Sequence, residues 1–404
     1  MVSRRAVSLG IIALTLSIAY GIWYSYSVIL VALLREFGWS RSVLAGAFSA
    51  FTLVHGAVNP LVGALCDRVR PLRLVTIGGV ALSLALWADS LIATPWQLYL
   101  SFGLFTAASV AAAGWIPALV QVQREFQDRL GLALGIVSSG VGVGMLLVVP
   151  LTQLLIDAYG WRAAFRVLAA VCAAWIVPTS LWLARGARRA VPPAAAVGRP
   201  GARTQVTLGQ ALRGAPLWLM ISAFFFGNIC SQTLHVHQVA YLVDRGVAAI
   251  VAASVVGVVG LSSILGKTGG GWISDRIERE KVYVAGIAIM LGSVAVLASL
   301  GQGPSRAALY AYGVLLGLGY SVTASLIPAM VSDRFSGPHF GAIVGIGLLG
   351  SAVGSAVGPW MAGYLFDRTG SYAAAFAIAA ACGVAAGAAG WRARALRVRG
   401  MASA

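Results

Sequence analysis

The chain has 404 residues, 59% of them hydrophobic and 10% charged, with a mean hydropathy of +0.87. That composition excludes a cytosolic enzyme and supplies enough apolar residues for some ten to twelve bilayer spans of about 20 residues each. The formal net charge of +17 would suggest nucleic acid in a soluble chain, but the positions of the charges outside the apolar stretches point to membrane topology instead.

Arg4-Arg5 precede a long apolar run from Leu9. It is too long for a signal peptide and has no small-residue cleavage site, so it is expected to be an uncleaved first span with a cytosolic N-terminus. Apolar stretches bounded by charges, Pro or Gly then predict twelve helices, at 9–34, 42–65, 71–93, 95–123, 130–157, 161–184, 216–243, 248–274, 280–301, 305–332, 338–365 and 371–391. Residues 185–215 carry six arginines, Pro192-Pro193 and no acid. They are expected to form a basic cytosolic linker between an N-terminal six-helix bundle, 1–184, and a C-terminal one, 216–404. Cys66, Cys172, Cys230 and Cys382 lie apart in apolar segments without metal spacing, so no metal or other cofactor is expected.

With the N-terminus inside, 21 of the 29 basic residues fall on the cytosolic side and 7 outside, leaving Lys267 within a span. This asymmetry predicts a plasma-membrane protein with both termini in the cytosol. The 49 glycines follow no triplet period and must sit inside helices. Several of them repeat. Gly131, Gly135, Gly140, Gly144, Asp157 and Gly160 recur 210 positions later as Gly341, Gly345, Gly350, Gly354, Asp367 and Gly370, and Gly63–Arg73 (GALCDRVRPLR) recurs 208 later as Gly271–Lys281 (GWISDRIEREK). Two tandem six-helix repeats in one orientation follow.

On the paired loops Gly63-x-x-x-Asp67-Arg68 and Gly271-x-x-x-Asp275-Arg276, the chain resembles the major facilitator superfamily over essentially its whole length. After the Arg it departs from the family's usual Gly and basic residues, having Val69-Arg70-Pro71. The resemblance implies an all-α membrane protein of twelve transmembrane helices in two six-helix pseudo-symmetric bundles. The loop glycine would let helices approach closely, and Asp67, Arg68, Asp275 and Arg276 would pair or cap helix ends at a cytosolic gate.

A narrower resemblance, to the monocarboxylate and oxalate/formate transporters, rests on local strings. They are Glu36-Phe37-Gly38-Trp39-Ser40-Arg41, Gly131–Ile136, Gly160–Phe165, Val236–Asp244, Gly358-Pro359 and Asp367–Tyr372.

Ionisable residues inside spans are costly and are functional candidates by default. Lys267 lies eight residues before Asp275, about 12 Å from the helix end at the usual rise and so near the bilayer midplane. No acid lies one turn away, since 263 is Ser and 271 is Gly. A buried cation without a local partner suits a substrate carboxylate; the alternative is a lysine that snorkels to headgroups or pairs with a distant acid. The resemblance implies the first, because it is at this helix-eight position that the family's basic residue, usually Arg, takes the carboxylate.

On helix seven, Asn228, Gln232 and His235 fall within about 60° of one another, whereas His237 lies about 200° from His235. The resemblance favours His237 as cavity-facing and Asp244 as a proton site, and the seven-residue spacing puts both on one face. His235 is expected to pack with a satisfied hydrogen bond. His55, before Asn59-Pro60, is expected to serve either as a proton site or, preferably, as a local hydrogen-bonding partner. Asp89, near the end of helix three, is expected to reach water. Tyr20 and Tyr24, one turn apart, and Trp115 could line the pocket with an apolar body and polar tip. The resemblance adds Tyr320, while Tyr372 would belong to an outer gate.

No Walker loop or catalytic constellation is present, so a non-enzyme is expected. The reading is a monomeric secondary transporter of a small organic monoanion such as lactate or pyruvate, moved with a proton by alternating access, with no nucleic-acid partner. A single membrane cation fits one carboxylate better than two. The rival on the same fold is a proton-coupled exporter of drugs or weak acids, which would need a carboxylate in the cavity.

Overall fold

The computed structural model describes residues 4–126, 130–186, 208–334 and 340–402. The first six long helices are α1 (Arg4–Phe37), α2 (Arg41–Arg68), α3 (Pro71–Asp89), α4 (Pro95–Glu125), α5 (130–159) and α6 (161–186). After a short turn of helix at Leu208–Arg213 come α7 (Ala215–Asp244), α8 (Ala249–Ser274), α9 (Arg279–Ser299), α10 (Arg306–Arg334), α11 (Phe340–Thr369) and α12 (Ala373–Ala402). Ten helical stretches among the described residues are long and apolar enough to cross a membrane, and one of these, Leu130–Arg185, holds both α5 and α6. With α10, which is not one of those ten, the twelve expected helices are present, most of them a few residues longer than the hydropathy alone marks.

Local chemistry sets the breaks. The Ser40 hydroxyl accepts from the Val43 amide at 3.3 Å to start α2, and Pro71 occupies the first turn of α3, where its missing N–H costs nothing. α4 is irregular: Tyr99–Thr106 is wound as a π-helix and the chain breaks again at Gly114. α5 passes into α6 at Gly160 with φ +81°, and α11 ends at Gly370 with φ +68°. These are equivalent positions of the two repeats, and the left-handed backbone explains why both are glycine.

The glycine repeat has a packing meaning. A Cβ at Gly140 or Gly144 of α5 would fall on the carbonyls of Ala13 or Ser17 of α1. A Cβ at Gly350 or Gly354 of α11 would meet those of Ile221 or Phe225 of α7. Since 221 and 225 lie 208 beyond 13 and 17, the same helix pair is packed backbone to backbone in each half. Buried tyrosine hydroxyls are satisfied across neighbouring helices, as with Tyr283 to the Ala223 carbonyl at 2.8 Å and Tyr241 to the Leu297 carbonyl at 3.1 Å.

Three expectations are corrected. Gly271 faces open space and Gly63 makes only an ordinary contact with Ile116, so the loop-signature glycines are not the close-approach points; Gly266 and Gly270, packed on Ser321 and Val322, are. Asp275 and Arg276 form no ion pair with each other: both are exposed, and Arg276 lies over the Trp272 ring at 3.6 Å. At this end of the bundle Arg124 donates to the Cys66 carbonyl at 3.0 Å and Arg334 pairs with the buried Glu280 at 3.4 Å. Asp89 does not reach water but is wholly buried, accepting from the Thr106 hydroxyl at 2.8 Å. Arg68 is exposed, while the Asp67 side chain and linker residues 187–207 lie outside the described residues.

Candidate functional site

The two halves meet along α2 and α11, α5 and α8, and α1 and α7. Ser49 of α2 donates to the Ala356 carbonyl of α11 at 2.5 Å, and Gly56 packs on Ala352. Gly142 of α5 and Gly260 of α8 approach so closely that a Cβ on either would strike the other's carbonyl. Small residues are the only ones that permit such backbone contact between membrane helices.

Lys267 lies two turns further along α8 from Gly260. Its Nζ reaches back across the interface to the Ser138 carbonyl of α5 at 3.5 Å. Among the described residues no carboxylate pairs with it. One weak carbonyl contact engages one of the ammonium's three donors, inside a membrane-spanning helix.

One turn before Lys267 sits Ser263, which is wholly buried, donates to the Gly260 carbonyl at 2.7 Å and lies beside Tyr320 of α10; Tyr320 in turn neighbours Tyr24 of α1. The Tyr320 hydroxyl also lies 3.6 Å from the Met145 sulfur. Tyr24, Tyr320 and Lys267 are thus brought to one region where α1, α5, α8 and α10 converge. Tyr20, one turn before Tyr24 on α1, lies beside Trp115 at the break in α4, and both rings pack against the apolar core of the first half.

His235 is buried and makes the kind of hydrogen bond expected of it, Nδ1 to the Ser231 carbonyl at 2.8 Å. His235, not His237, faces the interface: its ring centroid lies 4.6 Å from that of Tyr320 and 5.3 Å from that of Tyr24. His237 is wholly buried, with Nδ1 2.9 Å from the Tyr372 hydroxyl and Nε2 2.8 Å from the Pro359 carbonyl. A carbonyl can only accept, so the proton sits on Nε2, and Nδ1 must accept from Tyr372. Both nitrogens are committed and none is left for a ligand.

Tyr372 itself accepts from Arg41 Nη1 at 2.6 Å, and Arg41 Nη2 pairs with Asp244 at 2.8 Å. The Arg41 guanidinium also lies 3.7 Å above the Phe366 ring. Asp367 completes the group by accepting from the backbone amides of Arg41 and Ser42 at 2.9 and 2.8 Å, capping the start of α2. His237 and Asp244 thus belong to one cluster, as their spacing suggested, and it lies at the end of the bundle where α2 begins and α7 and α11 finish, tying α2 of the first half to α7, α11 and α12 of the second. Counting charges assigned Arg41 to topology alone; its place in the string Glu36–Arg41, matched by Asp367–Tyr372, was the available signal.

The family model described as Major Facilitator Superfamily matches residues 12–269 and 239–401 of this chain. The chain is 28% identical over 371 residues to monocarboxylate transporter 13 of Bos taurus, covering 89% of this chain and 82% of that protein. It is also 28% identical over 391 residues to monocarboxylate transporter 11 of Mus musculus, covering 89% and 80%. Among solved structures, the nucleoside transporter NupG superposes with a TM-score of 0.77 at 12% identity over 95% of this chain and 99% of that one. An inward-facing, unoccupied bacterial homolog of the human lysosomal transporter Spinster superposes with a TM-score of 0.70 at 16% identity, covering 97% of each.

Proposed function

The chain belongs to the major facilitator superfamily of membrane transporters, and we propose that it is a secondary active transporter of a small organic monoanion, a monocarboxylate of the lactate or pyruvate size, moved together with a proton. The observation that carries this reading is Lys267: a cation inside a span, at the junction of the two halves, with no carboxylate partner among the described residues. A substrate carboxylate would supply the missing charge and take up the free donors. The relatives named as monocarboxylate transporters support the same chemistry.

In this proposal the bundles 1–184 and 216–404 rock about the α5–α8 and α2–α11 contacts, joined by the basic linker 185–215, with both termini cytosolic. The lock at Arg41 then faces outward. A proton arriving at Asp244 cancels the charge that holds Arg41, Arg41 lets go of Tyr372, and the hydrogen-bond chain from α2 through Tyr372 to His237 is cut at its α2 end. Outer opening follows, which ties proton entry to substrate entry. The role of His237 is to anchor the lock to α11 through Pro359 and not to touch substrate.

The test is uptake of lactate or pyruvate into proteoliposomes under an imposed pH gradient, comparing the parent with Lys267→Ala. Flux in the parent that is lost in the variant supports the reading. Full retention of flux removes Lys267 from the binding role, and no monocarboxylate flux in the parent rejects the substrate class.

A further inference from the structure

In the second half, α8, α9 and α10 leave a groove of about 480 Å³ between them, a volume in the range of small-molecule sites. It opens on a different face of α8 from the junction of the halves. Leu265, Gly269 and Ile273, which line it, lie about 140–180° around the helix from Gly260, the residue packed on α5. Leu265 and Ile273 are 63% and 39% exposed, so the groove faces outward from the bundle.

Glycines shape it in two ways. A Cβ at Gly266 or Gly270 of α8 would strike Ser321 or Val322 of α10, and one at Gly286 of α9 would press on Val322, so these three bring the helices together. Gly269 does not. A Cβ there meets nothing within 4 Å, and the side chain it lacks is part of the empty groove.

Every lining residue is apolar except Lys281, in the first turn of α9. The Lys281 ammonium lies 3.8 Å from Glu278 Oε2, an oxygen that Arg394 approaches more closely, and the side chain is 44% exposed. That single long contact engages one of three donors. At the same end the exposed Trp272 carries Arg276 over its ring at 3.6 Å, the kind of pairing found at headgroup level.

The dimensions select the occupant. From Leu265 to Ile273 on α8, and from Lys281 to Ile289 on α9, the groove runs about 12 Å, close to the roughly 15 Å of hydrocarbon in one leaflet. A helix of that length, about 10–12 Å across with its side chains, would need roughly twice the volume. An apolar slot one leaflet long, with one basic residue at its headgroup end, matches a narrow hydrocarbon chain under an anionic head.

We propose that this groove binds an acyl chain of an anionic phospholipid from the leaflet at the α8–α9 turn, with the lipid phosphate on Lys281. The seated chain braces α8, the helix that carries Lys267, against α9 and α10. The site is separate from the one at Lys267 and does not depend on which solute is carried.

Delipidated full-length protein in detergent, titrated with dioleoyl phosphatidylglycerol or dioleoyl phosphatidylcholine, tests this, with bound lipid counted by native mass spectrometry and the thermal midpoint recorded. Phosphatidylglycerol is expected to bind about fivefold more tightly, the worth of one basic residue beside an anionic lipid, and to raise the midpoint. Lys281→Gln is expected to bring that ratio towards one. Gly269→Leu fills the groove where a Cβ has open space, and is expected to lose one bound lipid of either kind. Ala285→Leu, from the exposed wall on α9, reports the same loss where Gly269→Leu does not assemble. Lipid binding undiminished in both filling variants overturns the proposal, as does a ratio that Lys281→Gln preserves. An equal midpoint rise with glycerol phosphate, which has no acyl chain, also overturns it. So does a dimer in the mass spectrum that Gly269→Leu abolishes, which would give the groove to a second copy of the chain.

Discussion

Arg41 at the start of α2 and Asp244 at the end of α7 are joined by an ion pair of 2.8 Å that spans the two halves of the molecule. The arginine side chain is only 12% exposed while the aspartate is 39% exposed. The pair is anchored in the bundle through its arginine and reaches the surface through its aspartate.

Replacing Asp244 with Asn keeps the shape and removes the charge, as protonation does. Loss of a hydrogen bond to a charged group costs about 1.5–3 kcal/mol, discounted here because the carboxylate is partly exposed. The expected outcome is roughly a tenfold faster reaction of a cysteine introduced at Ser231 with an impermeant maleimide added from the outer side. An unchanged labelling rate removes the Arg41–Asp244 pair from gating.

Tyr372→Phe deletes the hydroxyl that links Arg41 to His237. It is expected to speed the same labelling by less than Asp244→Asn does. Because both residues act on one guanidinium, the double variant is expected to show less than the sum of the two effects. Strict additivity in that cycle would mean that the tyrosine and the aspartate hold the end of the bundle independently.

At Lys267 the charge and its geometry can be separated. Lys267→Ala is expected to abolish saturable monocarboxylate uptake. Lys267→Arg keeps the charge but replaces a compact ammonium with a planar fork, and is expected to retain uptake with KM raised roughly tenfold. Michaelis curves in proteoliposomes decide; a KM shift in Lys267→Gln no larger than in Lys267→Arg would show that charge is not what the site uses.

The glycine repeat predicts a graded stability series. Gly144→Ala and Gly354→Ala place a methyl on the carbonyls of Ser17 and Phe225 and should each destabilise by about 1–3 kcal/mol, the range for overpacking. Gly135→Ala meets nothing within 4 Å and is expected to be neutral or slightly stabilising. Thermal midpoints in detergent read the order directly, and a drop at Gly135 equal to that at Gly144 would refute the packing account.

Much of this molecule is set by properties that need no tertiary information. Apolar runs longer than a bilayer must be helices because lipid cannot hydrogen-bond a free backbone. The helix number, the tandem repeat and the glycine positions follow from composition and spacing, and Lys267 is conspicuous because no acid lies within a turn of it on its own helix. What spacing cannot decide is which of two residues on one helix meets another helix. His235 and His237 lie two positions apart on opposite faces, and their roles are assigned only when α1 and α10 pack on one side and α11 and α12 on the other. The same holds for Arg41, whose partners Asp244 and Tyr372 are 203 and 331 positions away, and for Asp89, which the chain ending of α3 suggests is wet and the π-wound turn of α4 buries. Periodicity along a helix is a local property of the backbone, whereas hydrogen-bond partners between helices depend on the angles and separations at which whole helices pack, and those exist only in the folded bundle.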